Sequence, residues 1–191
     1  LRQAEPRQHV VQLYGEDDQL LSRNVSRYLG EGLGQGDGCL VIATAGHNDA
    51  IVRQLGEDGH DPASAIRSGQ LLMLDAEATL ARFMVDGQPD WQLFERTVGE
   101  AIEQVRAVTG PRPLRAFGEM VGLLWAAGQP AAARQLEDYW IRFRESQAFS
   151  LFCAYPIDGF GDELPSTALG DLLRTHTHVL LGPRTMLSSA G

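Results

Sequence analysis

The sequence predicts an α/β fold with a mostly parallel central sheet flanked by helices. Three observations predict it. Short apolar runs alternate with longer amphipathic segments along the chain. The run Cys39-Leu-Val-Ile-Ala43 is apolar at every position, which suits a strand covered on both faces by helices. The segments between runs are long enough to carry the chain back across a sheet as a helix, the connection that joins parallel strands.

The elements follow in order. Residues 1–7 read as a disordered lead-in, 8–182 as one domain and 183–191 as a flexible tail. His9-Val-Val-Gln-Leu-Tyr14 is a β-prone run. Gly15-Glu-Asp-Asp then opens a helix with acids at its positive end. Leu20, Leu21, Val25, Tyr28, Leu29 and Leu33 recur at helical spacing, and Gly34-Gln-Gly-Asp-Gly38 turns the chain into the second strand. After Ala43 a turn over Thr44 to His47 leads to a helix from Asn48 to Glu57, broken by Gly59-His-Asp-Pro62.

Gln70 to Asp75 is the third strand, with Asp75 placed to cap a helix over Ala76 to Met84. Asp86 to Asp90 is a loop, and Asp90 caps a long helix from Trp91 to Val108. Leu114 to Glu119 is the fourth strand, followed by a short helix over Met120 to Ala127. A helix over Gln129 to Ser146 has Pro130 in its first turn. Ala148 to Tyr155 is the fifth strand, and a last helix is expected from Ser166 to about Leu180.

Composition narrows the function. The 191 residues carry 16 basic and 25 acidic side chains, a net charge of −9. All the basic residues except histidine are arginine; no lysine occurs. An acidic chain with scattered arginines is repelled by nucleic-acid backbones and anionic membrane surfaces, so neither is expected as a partner. No apolar run reaches the roughly 18 residues of a membrane span. The first residues are polar and do not read as a signal peptide, so a cytoplasmic location is expected.

Ligands in parallel sheets sit outside the carboxyl ends of the strands. Five residues fall there: Tyr14, Thr44, His47, Glu119 and Tyr155. A phosphate-binding loop at the Thr44–His47 turn would need several glycines, a lysine and Ser or Thr. This turn has Gly46 alone. Sensing or binding is therefore expected rather than ATP hydrolysis, with no catalytic residues, no cofactor and no metal site.

Other candidates have plainer readings. His9 opens the first strand, where it could ligate metal or sense pH, but the histidines lack metal-ligand spacing. Cys39 and Cys153 lie in apolar runs and read as buried thiols; a disulfide would require neighbouring strands. Phe117, Trp125, Trp140 and Phe152 could line an apolar pocket, though core packing accounts for Trp140 and Phe152. No Gly-x-Ser-x-Gly elbow is present, and Gly32-Leu-Gly-Gln-Gly-Asp-Gly38 precedes a strand, whereas a dinucleotide fingerprint follows one.

Several segments in order carry a family resemblance. They are His9-Val-Val-Gln-Leu-Tyr14 before an acidic helix start, Tyr28-Leu-Gly-Glu-Gly-Leu33, and Gly38-Cys-Leu-Val-Ile-Ala-Thr44 with His47. Phe117-Gly-Glu119, Leu136-Glu-Asp-Tyr-Trp140, Leu151-Phe-Cys-Ala-Tyr-Pro156 and a histidine-bearing final helix at His176-Thr-His178 complete the set. Over roughly residues 8 to 180 the chain resembles the MEDS domain, a sensory domain of methanogens, methylotrophs and the regulator DcmR.

The resemblance implies a three-layer RecA-like fold without a working P-loop. It implies a signal-input domain for small hydrocarbon derivatives, with a regulatory protein partner or a fused output domain. By it, His47 falls in the degenerate phosphate-loop position, and Glu119 matches the acid after the fourth strand. Two alternatives remain. One is a pseudo-ATPase still holding nucleotide, with Arg53 or another arginine replacing the missing ammonium. The other is a ligand-free interaction module, for example a homodimer, with Trp91 as an exposed apolar residue.

Overall fold

The computed structural model describes residues 9–15, 18–156 and 178–181. The lead-in, the tail and the expected last helix up to residue 177, with His176, lie outside the described residues.

Six parallel strands form one sheet in the order β3-β2-β6-β7-β1-β8. They are β1 (His9–Tyr14), β2 (Gly38–Ala43), β3 (Leu71–Asp75), β6 (Leu114–Gly118), β7 (Ser150–Pro156) and β8 (His178–Leu181). A separate two-residue hairpin pairs β4 (Met84–Val85) with β5 (Gln88–Pro89). The helices are α1 (Asp18–Gln35), α2 (Ala45–Glu57), α3 (Pro62–Ser68), α4 (Ala76–Ala81), α5 (Trp91–Thr109), α6 (Met120–Ala126) and α7 (Pro130–Ser146).

Strand parity divides the core into two clusters, one on each face. Val10, Cys39, Val41, Phe117 and Phe152 pack with α1, α2 and α3. Val11, Leu13, Leu40, Ile42, Leu151 and Tyr155 pack with α4 to α7. A sheet buried on both faces is what the unbroken apolar runs require. The two faces also separate the thiols. Cys39 belongs to the first cluster and Cys153 to the second, and β6 lies between their strands. Both are free and buried, and no disulfide can join them. Burial pushes the Cys39 thiol up to about 12, with Arg115 opposing.

Aromatic rings pack on both faces, with the larger cluster on the second. Phe94 meets Trp140 edge-on at 5.1 Å and Phe83 at 5.4 Å. Trp91, expected to be exposed, packs on Phe94 and Tyr139 and is covered by the Arg142 guanidinium at 3.9 Å. On the first face Arg115 is buried, held by Asp37 at 3.1 Å and the Tyr28 carbonyl at 2.9 Å. One glycine permits a close approach: a Cβ on Gly122 of α6 would meet the Ala154 carbonyl oxygen of β7 at 2.7 Å.

The structure corrects several boundaries. α2 begins at Ala45, because Thr44 is the cap rather than part of an open turn. The Asp61-Pro62 pair starts a helix instead of only ending one: Asp61 accepts from Ser64 N, and Pro62 fills the first turn. α4 stops at Ala81, and Met84 joins the hairpin, which occupies part of the expected 86–90 loop. His178–Leu181, expected as the end of a helix, is strand β8 beside β1.

Candidate functional site

The crossovers single out one place on the carboxyl edge. The chain leaves β2 through α2 and α3 on one face, and leaves β6 through α6 and α7 on the other. β2 and β6 are neighbours, so their outgoing connections part at the carboxyl edge. In open parallel sheets ligands bind at such a divergence.

Glu119 ends β6 at this point and is 2% exposed. Its Oε1 accepts the Thr44 N–H, and its Oε2 lies 2.5 Å from His47 Nδ1. Its own N–H donates to the Ile42 carbonyl at 3.2 Å. With Glu119 as acceptor, His47 donates from Nδ1. The Tyr14 ring stands edge-on to His47, centroids 5.8 Å apart. Thr44 Oγ1 accepts from His47 N at 3.5 Å, a long cap contact. Asn48 fastens the same edge by donating to the Ala43 and Leu74 carbonyls at 3.0 and 3.1 Å.

Four of the five expected residues, Tyr14, Thr44, His47 and Glu119, are thus brought together. The fifth, Tyr155, is not. It pairs in register with Leu13, one residue out of phase with Tyr14, so its side chain enters the opposite face. There its hydroxyl donates to Glu137 of α7. Arg53 lies on the exposed side of α2, away from the helix start.

The arrangement has a chemical consequence. The first N–H groups of a helix form an anion site. At α2 that position is taken by the protein's own carboxylate. A phosphate there would meet Glu119 at close range, with no lysine to offset the repulsion.

A second polar cluster lies under α7; the sequence reading names His9, Cys153 and Tyr155 separately but gives Glu137 no role and does not bring them together. His9 Nε2 is 3.4 Å from Cys153 Sγ and 3.8 Å from Glu137 Oε1. Desolvation raises the Glu137 carboxyl to about 7, with the Tyr155 hydrogen bond opposing. Burial likewise raises the Cys153 thiol and the Tyr155 phenol, helped by Glu137. A signal exists: Glu137 lies three residues before Trp140 and seven before Arg144, along the helix face that also buries Ala133. Among the described residues no group of three or more His, Cys, Asp or Glu side chains is placed to hold a metal. Also among them, no helix is long and apolar enough to cross a membrane.

Residues 8–177 match the family described as MEthanogen/methylotroph, DcmR Sensory domain. The chain belongs to the MEDS sensory domain family. That membership covers both the Glu119 site and the α7 cluster, and it makes a signal-input role the family's suggestion for this chain. A comparison with curated proteins finds no match. Among solved structures, the chain is similar to the crystal structure of the uncharacterized protein PH0321 from Pyrococcus horikoshii in complex with an unknown peptide. The TM-score is 0.63 at 13% identity, over 93% of this chain and 78% of that one. At that identity the likeness concerns the fold.

Proposed function

We propose that this MEDS domain is a cytoplasmic, non-catalytic signal-input domain. It binds a small, partly apolar molecule at the carboxyl edge of the sheet and regulates a transcription or kinase partner. The observation that carries this reading is Glu119 seated at the α2 N-terminus, with Thr44 N–H and His47 as donors. The seated carboxylate disfavours phosphate, and it orients His47 beside Tyr14, where imidazole and phenol ring make a half-apolar wall.

The test is thermal unfolding against a library of small neutral and weakly polar metabolites, in the wild type and in His47→Ala. A ligand at one hundred times its Kd adds about 2.7 kcal/mol of stability. The reading expects a shift that His47→Ala abolishes. It fails if no compound shifts the midpoint, or if ATP with magnesium does so in its place. A second reading draws on the unknown peptide in complex with PH0321: in this chain the carboxyl edge would take a protein segment in place of a metabolite. Shifts from short peptides and from no metabolite would favour it.

A further inference from the structure

A cavity of about 470 Å³ opens at the amino edge of the sheet, the end opposite Glu119, where β6 and β7 begin and α5 ends. Its size is that of a small-molecule site. Leu114 and Phe149, each 2% exposed, form an apolar floor, and Pro111 and Pro113 form a rigid wall.

Two arginines from different elements converge on it. Arg112 Nη1 donates to the Gln35 carbonyl at 2.8 Å, and the guanidinium lies over Gly36, where a Cβ would be 3.2 Å from it. Arg106 donates to Gln147 Oε1 at 2.5 Å and to the Ala148 carbonyl at 3.1 Å. All these acceptors are neutral oxygens, and a guanidinium has five N–H groups. The third arginine at the cavity, Arg115, is neutralised by Asp37 at 3.1 Å. Among the described residues neither Arg106 nor Arg112 pairs with a carboxylate. The α1 end that Arg112 meets carries about half a negative charge, and Arg106 meets a side-chain amide and a carbonyl beyond α7, so each guanidinium keeps an excess of positive charge. In a chain of net charge −9, two such arginines beside one apolar floor are a selective combination.

We propose that this cavity binds a small organic carboxylate with an apolar body. The carboxylate lies on the spare N–H groups of Arg112 and Arg106, and the body lies against Phe149 and Leu114. Arginine suits this role because its planar fork matches the two carboxylate oxygens. The site is separate from the Glu119 edge and does not depend on that edge being occupied.

Phenylacetate is the probe, and phenylacetamide, its uncharged isostere, is the control. Calorimetric titration of the whole chain is expected to give saturable phenylacetate binding with a Kd on the order of 1 mM or tighter. Phenylacetamide binds at least roughly tenfold more weakly, because it lacks the charge. Arg112→Gln, a change at an exposed position, weakens phenylacetate by roughly ten- to a hundredfold. His47→Ala, at the far edge, leaves binding unchanged. The proposal is overturned by an absence of saturation, by equal binding of the amide, by an unaffected Arg112→Gln, or by loss in His47→Ala. A circular-dichroism melt of each variant confirms that it is folded.

Discussion

Glu119 is a buried carboxyl and Glu137 a largely covered one, at 2% and 12% exposure, yet the protein treats them differently. Glu119 sits at the carboxyl edge of the sheet with a main-chain N–H and an imidazole aimed at its two oxygens. Glu137 sits beneath α7 with a phenol on one oxygen and an imidazole 3.8 Å from the other. Desolvation outweighs the phenol at Glu137, and its carboxyl rises to about 7. The cost of burying a carboxylate is set by which donors reach it as well as by depth.

The largest effect expected from breaking this contrast is at Glu119. Glu119→Ala removes the acceptor from Thr44 N–H and His47 at once and should cost roughly 3–5 kcal/mol in urea unfolding. A loss below about 1 kcal/mol would mean that His47 is not tied to it. Next comes the pH response of Glu137, whose ordinary value is 4.5 and whose folded value is about 7. Between those values the folded protein holds more protons than the unfolded chain. Stability therefore falls as pH rises from about 4.5 to about 7, by about 3 kcal/mol from this group, and is level on either side. Glu137→Gln should flatten that slope in urea midpoints taken at about pH 5 and about pH 8; an unchanged slope assigns it elsewhere.

Tyr155→Phe takes away the phenol donor. It should cost about 1–2 kcal/mol at neutral pH and move the Glu137 transition upward, visible by carboxyl NMR. The smallest effect is Thr44→Ala. Its cap contact is long at 3.5 Å, so about 0.5 kcal/mol is expected from thermal unfolding.

The same contrast marks how much the sequence tells. Strands β1, β2, β6 and β7 are legible as apolar runs, and their carboxyl ends locate Tyr14, Thr44, His47 and Glu119. Tyr155 joins them wrongly because a strand end does not reveal its face; that depends on the Leu13–Tyr155 register, a long-range fact. Glu137 is hidden inside an amphipathic helix, where acids ordinarily face water. β8 reads as helix because Val179-Leu180-Leu181 is too short for its period to decide. α3 escapes notice because Pro62 serves equally as a breaker and as a first-turn residue.

Gly122 gives α6 a mechanical property. The missing side chain lets the helix press so low on β7 that it has no room to settle further. α6 begins immediately after Glu119, and Leu123 N–H returns to the Glu119 carbonyl at 3.0 Å, so no slack linker separates helix from carboxylate. The seating of α6 therefore fixes where Glu119 stands relative to Thr44 and His47. The height of that carboxylate above the sheet is thus set by a glycine three residues away.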